Sequence, residues 1–125
     1  SLRLYTHFCH FDLDLDQMRQ AAKLLTGEHD YKSFCNVRTQ VLDPVRTVYS
    51  IDIEKDSNDV ITIRVRGNGF LYNMVRILAG TLMAVGMGQR KPEEMPDILA
   101  ACDRAAAGPT APAKGLMLVG MEYQD

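Results

Sequence analysis

One charged residue, Arg76, lies in the otherwise uncharged stretch GNGFLYNMVRILAGTLMAVGMG, which runs from Gly67 to Gly88 and contains 13 apolar residues and five glycines. A guanidinium stays charged at any working pH, and its planar fork matches a carboxylate with two hydrogen bonds. The residues leave two interpretations open. Arg76 either holds an anion in a cleft or pairs inside the core with a carboxylate such as Glu122 or Asp103, because a buried charge requires a partner.

Other chemistries are not supported by the spacing of the residues. The segment GNGF places Gly67, Gly69 and then Tyr72 where a dinucleotide-binding loop would need a third glycine, and no phosphate-binding loop with its lysine is present. These glycines predict a tight turn from a strand into a helix. The segment HFCH at residues 7–10 has no second ligand pair downstream, so we predict no metal site.

Composition predicts one ordinary globular domain. The chain has 125 residues, of which 46% are hydrophobic and 24% charged, and its net charge is −2. This mild acidity argues against indiscriminate binding of nucleic acid. Three cysteines without paired spacing favour reduced thiols and a cytoplasmic setting. A membrane span is not predicted, because an arginine in mid-helix costs about 2.5 to 3.5 kcal/mol. The chain opens on Ser1 without an initiator methionine, so we expect a piece of a longer protein.

Three helices are predicted from the spacing of apolar residues. The stretch DLDQMRQAAKLLTG predicts a helix that Asp14 caps and Gly27 ends. A second helix is expected from about Phe70 to Val85, and its lack of a charged face predicts that both of its faces are covered. A third, shorter helix starts at Pro92 and ends near residue 103.

Strands are predicted from alternation. Apolar residues alternate on both sides of a polar turn at residues 56–59, which predicts a β-hairpin. One face of its first strand would carry Tyr49, Ile51 and Ile53. The opposite face of the hairpin would carry Ser50, Asp52, Arg64 and Arg66. DYKSFCNVRTQVLDPVR is expected to be a connecting loop, AAAGPTAPAKG a stiff loop, and LMLVGMEY a strand in the middle of a sheet. The fold class expected is α+β, an antiparallel sheet with helices packed on one face.

Three segments together resemble the C-terminal domain of the tRNA pseudouridine synthase A, or TruA, family. They are GNGFLYNMVRILAGTLMAVGMG, AACDRAAAGPTAPAKGLMLVGMEY, and the pair DYKSFCNVR with DPVRTVYSIDI. The resemblance implies the ferredoxin-like half of a pseudouridine synthase fold. It also implies isomerisation of uridine to pseudouridine at positions 38 to 40 of the tRNA anticodon arm, without cofactor or metal. The catalytic aspartate of the family lies in a GRTDAG-like stretch, which this chain does not contain.

The resemblance implies roles for particular residues. Arg76 corresponds to the arginine that ion-pairs with the catalytic aspartate, and Leu116 to the residue that packs against the target uracil. Phe70 and Asn73 would complete the substrate pocket, although the family often has histidine at the position of Asn73. Contacts with RNA are expected from a set of four arginines, Arg38, Arg46, Arg64 and Arg66. For Arg64 and Arg66 the alternative is cross-strand pairing with Asp52 on a solvated sheet.

Two functional hypotheses follow for the chain. In the first, it supplies half of an active site that an N-terminal domain of the same parent chain completes, in a cytoplasmic homodimer that acts on tRNA; alone it would be inactive. In the second, it is a stand-alone RNA-binding or dimerisation module of the same fold. A structural domain with a satisfied core arginine remains a third interpretation of the residues by themselves.

Overall fold

A computed structural model describes residues 2–9, 12–36, 43–111 and 118–123. Five strands and three helices form the framework: β1 (Leu2–Cys9), α1 (Leu15–Leu25), β2 (Gly27–Asp30), β3 (Val45–Lys55), β4 (Val60–Gly67), α2 (Met74–Gly86), α3 (Met95–Ala101) and β5 (Leu118–Tyr123). Short 3-10 turns at Lys32–Phe34, Pro92–Glu94 and Arg104–Ala106 connect them.

The strands form one antiparallel sheet in the order β2-β3-β4-β1-β5. Its apolar face packs against the helices, and Ile61, Ile63 and Val65 of β4 are fully buried there. Arg64 and Arg66 alternate with them and therefore point to the opposite side, which we call the open face. The predicted α+β class, with helices on one face of an antiparallel sheet, is confirmed.

The hairpin and the first helix agree closely with the sequence pattern. Strands β3 and β4 flank the polar turn, as predicted. The carboxylate of Asp14 accepts a hydrogen bond from the Gln17 N–H at 3.1 Å and so caps α1. Helix α1 ends earlier than predicted, since Thr26 is its C-cap and Gly27, with a φ of 108°, already begins β2. The third helix is also shorter, because a 3-10 turn replaces its first residues.

Helix α2 begins later than the apolar pattern suggested. Asn73 has a φ of 59°, in the left-handed region, and the regular helix starts only at Met74. A left-handed residue cannot continue a right-handed helix, so Phe70 and Asn73 lie in the turn before α2 rather than within it. Gly67, the last residue of β4, must be glycine because the Thr47 backbone approaches it closely. A Cβ at this position would lie 2.7 Å from the Thr47 carbonyl oxygen.

One strand was not predicted, and the predicted position of another was wrong. Gly27–Asp30 forms an edge strand paired with β3, although this short segment shows no clear alternation. The apolar strand β5 lies at the opposite edge of the sheet formed by the described strands, not in its middle. Apolar residues on both faces are typical of a strand covered on both sides, but they do not determine which neighbours pair with it.

A β-bulge changes the predicted face of Tyr49. Val48 lies opposite Gly67 and Ser50 lies opposite Arg66, so Tyr49 is an extra residue in β3. Val48 is buried in the core, whereas 49% of the Tyr49 surface is exposed. Tyr49 therefore does not share a face with Ile51 and Ile53, since the bulge turns it toward the open face.

Candidate functional site

Arg76 lies in the first turn of α2 and is half-buried. Its Nη2 donates a hydrogen bond to the carbonyl oxygen of Ala111 at 2.9 Å, and the Ala111 N–H donates to the Arg76 carbonyl at 3.0 Å. Its Nε is buried without a hydrogen-bond partner. The guanidinium is thus anchored at one nitrogen while another donor is left unused, which leaves capacity to bind an anion.

Within the described part of the chain, no carboxylate neutralises Arg76. The salt bridges between described residues join Arg19 to Asp16 and Lys55 to Asp59. The carboxylate of Asp103 accepts instead from the nearby Ala105 N–H at 3.0 Å. Pairing with Asp103, one of the two core alternatives, is therefore not formed. The other alternative concerns the Glu122 side chain, which lies outside what the structure describes.

The loop at residues 107–111 covers the second face of α2, as the lack of a charged face predicted. A Cβ at Gly80 would lie only 1.7 Å from the Pro109 carbonyl oxygen, so the loop backbone touches the helix backbone directly. The Gly108 N–H donates to Thr81 Oγ1 at 2.9 Å. This close packing holds Ala111 beside Arg76 and so determines where the guanidinium lies.

The Arg104 side chain contacts the same loop and stabilises it. Its Nη1 donates to the Gly108 carbonyl at 2.8 Å, and its Nη2 contacts Thr110 Oγ1 at 3.2 Å. A cavity of about 150 Å³ opens beside it, and its lining is Asn36, Asn73, Ile77, Arg104 and Thr110. Because Asn73 and Ile77 flank Arg76 in the chain, this cavity lies next to the first turn of α2. Sequence reasoning missed Arg104, whose importance depends on contacts with the loop.

Replacing Arg104 with methionine should loosen the loop that positions Arg76. The variant loses two hydrogen bonds from a charged donor, so we expect the free energy of unfolding to fall by about 1 to 2 kcal/mol. Hydrogen exchange of the Ala111 amide should accelerate by about tenfold or more. Arg19→Met is the matched control, since Arg19 also donates to a backbone carbonyl, that of Ile53, but lies on α1. Equal exchange at Ala111 in both variants would contradict this role.

The side chains of Phe70 and Arg46 lie close to glycines at the connection between β4 and α2. The Phe70 ring lies 3.3 Å from the position a Gly67 Cβ would take, and the Arg46 side chain lies 3.6 Å from the equivalent position at Gly69. Of the predicted substrate residues, Asn73 lines the cavity beside the first turn of α2, and Phe70 lies in the turn before this helix. Leu116 and Arg38 lie outside the described residues.

The cysteine near this turn is not activated. Burial raises the pKa of the Cys35 thiol, and this effect exceeds the opposing influence of the Tyr72 backbone and the Arg46 charge. A raised pKa keeps the thiol protonated at neutral pH and therefore a poor nucleophile.

The open face carries Arg64 and Arg66, as the alternation predicted. Together with Arg3, Ser50 and Asp52 they line a cavity of about 280 Å³. Asp52 lies directly opposite Arg64 in the strand register, yet their charged atoms are more than 4.0 Å apart. The cross-strand ion pair considered as an alternative is therefore not formed in this structure.

The described residues include neither a candidate metal site nor a membrane-spanning helix. None of their His, Cys, Asp and Glu side chains form a group of three or more that could hold a metal ion. His7 Nδ1 instead contacts Thr62 Oγ1 at 2.7 Å. None of the helices in the described part of the chain has the length and apolar character needed to cross a membrane.

The fold and the site together describe a domain that presents an arginine without a carboxylate partner among its described residues. In a comparison with known families, residues 21–124 match the model of the tRNA pseudouridine synthase family. The chain belongs to that family.

Named relatives give the same result. The chain is 56% identical over 119 residues to tRNA pseudouridine synthase A of Brevibacillus brevis, a match that covers 95% of this chain and 48% of the relative. It is 46% identical over 123 residues to tRNA pseudouridine synthase A of Bacillus subtilis, covering 98% of this chain and 49% of the relative. The chain thus spans about half the length of the curated relatives it matches.

Proposed function

We propose that this chain is one half of a tRNA pseudouridine synthase and that Arg76 is the charge that meets the catalytic carboxylate of the other half. The observation that carries the proposal is the state of the guanidinium. It is half-buried, anchored to Ala111, has a buried Nε without a hydrogen-bond partner, and has no carboxylate partner among the described side chains. Membership of the family supplies the reaction in which such an arrangement is useful.

In this reaction the bond from C1′ of the ribose to N1 of uracil breaks, and a bond from C1′ to C5 forms. The hydrogen on C5 leaves as a proton, and N1 takes up a proton, so no electrons are gained or lost. A carboxylate that acts near C1′ must remain ionised as the base turns. A guanidinium within about 4 to 6 Å lowers the pKa of such a carboxylate and holds its orientation through two hydrogen bonds. This is the role we assign to Arg76.

The substrate pocket would be formed around the start of α2. A uridine in a stacked loop must be turned outward before it reacts, and this costs a few kcal/mol that pocket contacts must offset. Asn73 lines the cavity beside the first turn of α2, and its polar atoms can form hydrogen bonds with a base. Phe70 lies in the turn before α2 and has an apolar ring that can contact the base. Leu116 is proposed to pack against the uracil, by resemblance alone.

Contacts with the tRNA anticodon arm are proposed for the arginines. Arg64 and Arg66 lie on the open face without a described carboxylate partner, so they can bind phosphates. The Arg46 side chain lies beside Gly69, in the turn before α2. Arg38 is proposed by resemblance alone. The further proposals are an N-terminal half as partner, a homodimer, and a cytoplasmic location.

Release of tritium from uridine labelled at C5 tests this function. We expect the 125-residue chain alone to release no tritium from an anticodon-arm RNA, because it lacks the catalytic carboxylate. Joined to the unmatched half of the Brevibacillus brevis relative, it should release tritium in a time-dependent manner. Activity of the chain alone would contradict the half-site proposal and locate the carboxylate within these residues. A folded but inactive joined protein, tested beside the active relative, would contradict the function itself.

A further inference from the structure

Tyr49 is an exposed aromatic residue on the open face that no step of the reaction uses. The bulge in β3 places both Tyr49 and Ser50 opposite Arg66 of β4. Without the extra residue, alternation counted back from Ile53 and Ile51 would direct Tyr49 toward the apolar core. With it, 49% of the tyrosine surface remains exposed on the open face. The bulge thus buries Val48 and leaves a large aromatic side chain on the open face.

The Tyr49 ring has one charged neighbour. The guanidinium carbon of Arg66 lies 5.3 Å from the ring centroid, within the range of a cation–π interaction. This contact orients both side chains before any ligand arrives. Because Arg66 takes up only part of the ring surface, an apolar area remains open directly beside a positive charge.

The residues around Tyr49 and Arg66 favour a ligand that carries both several negative charges and flat aromatic rings. The adjoining cavity of about 280 Å³ has a described lining of Arg3, Arg64 and Arg66 together with Ser50 and Asp52. Asp52 does not neutralise Arg64, since their charged atoms lie more than 4.0 Å apart. An aromatic ring within a groove of positive charge is the arrangement by which proteins bind single-stranded nucleic acid.

We infer that Tyr49 and Arg66 form a base-stacking site for an unpaired RNA nucleotide, in which the Tyr49 ring stacks on the base and Arg66 binds the neighbouring phosphate. This inference rests on the proposed function, because it takes the ligand to be the RNA substrate. It goes further in assigning Tyr49 a contact with a base outside the reacting pocket, since Tyr49 and Arg76 lie on opposite sides of the sheet.

Base stacking by Tyr49 and phosphate binding by Arg66 can be separated in a binding experiment. Fluorescence anisotropy measures the binding of a fluorescein-labelled anticodon-arm hairpin to the chain at several salt concentrations. Tyr49→Leu should raise the dissociation constant at least about fivefold, since it removes the ring on which the base stacks. Its salt dependence should be unchanged, because no charge is lost. Tyr49→Phe should bind within about twofold of the unaltered chain. Arg66→Gln should weaken binding and lower the slope of log affinity on log salt by about 0.7 to 0.9.

Leu24→Ala is the control, because Leu24 is 42% exposed but lies on α1, on the other side of the sheet. The inference would be overturned if the Tyr49→Leu variant bound the hairpin as tightly as the Leu24→Ala control does. It would also be overturned if the unaltered chain did not bind the hairpin at low salt. Normal tritium release by the joined protein in either case would leave the proposed function standing. Failure of the unaltered joined protein to release tritium, with Tyr49-dependent binding intact, would instead overturn the function and retain the RNA site.

Discussion

Arg76→Met is expected to reduce tritium release by the joined protein at least about a hundredfold, while the chain keeps its fold. Removing one preorganised charge from an active site typically costs about 10² to 10³ in rate. Methionine retains most of the apolar stem of arginine, so packing around α2 should be largely preserved. The lost hydrogen bond to Ala111 and the removal of a buried Nε without a partner act in opposite directions on stability.

Urea unfolding of the isolated chain provides the stability measurement for this variant. We expect the free energy of unfolding to change by less than about 1 kcal/mol, because no described carboxylate loses its partner. Arg76→Lys should recover only part of the rate, since lysine keeps the charge but not the planar fork. Arg19→Met serves as the control and should leave tritium release unchanged. A loss of about 3 kcal/mol or more in Arg76→Met would indicate an internal ion pair instead.

Gly80→Ala is expected to destabilise the chain by about 2 to 4 kcal/mol, although alanine normally favours a helix more than glycine does. The new Cβ would lie 1.7 Å from the Pro109 carbonyl oxygen and 3.0 Å from the Ala111 nitrogen. Both atoms belong to the backbone, so the whole loop must move away from α2. Movement of the loop would also withdraw the carbonyl that anchors Arg76, so turnover should fall together with stability.

Gly88→Ala is the matched control for this substitution. Gly88 has a φ of 78°, and no atom lies within 4 Å of its Cβ position. The substitution there should cost only about 1 to 2 kcal/mol for a left-handed alanine, without effect on turnover. Thermal and urea unfolding, with tritium release by the joined protein, measure both variants. A Gly80→Ala chain as stable as the original would show that the loop does not pack on the helix as described.

Local patterns were sufficient for the elements whose signals lie within one segment. The cap at Asp14 and the buried face of α1 follow from residues three and four apart, and the hairpin follows from alternation around a polar turn. The charge of Arg76 was conspicuous for the same reason, because it interrupts an apolar stretch. Such signals depend on neighbours in the sequence and are therefore readable without a fold.

Other features depend on contacts between distant segments and could not be read in this way. The later start of α2 depends on a left-handed Asn73, and the face of Tyr49 depends on how β3 pairs with β4. The contribution of Arg104 depends on a loop that packs against Gly80. None of these three features leaves a periodic pattern in the sequence, because each depends on which backbone atoms lie opposite one another.

The sequence by itself determined the class of fold, the main helices and the hairpin, and the family, and it drew attention to Arg76. Only the tertiary structure decided what surrounds that arginine: a loop carbonyl at 2.9 Å, a small cavity beside it, and no ion pair with any described carboxylate. The reason is physical, because periodicity records which side of an element is buried, whereas the partner of a charge depends on packing between segments far apart in the chain.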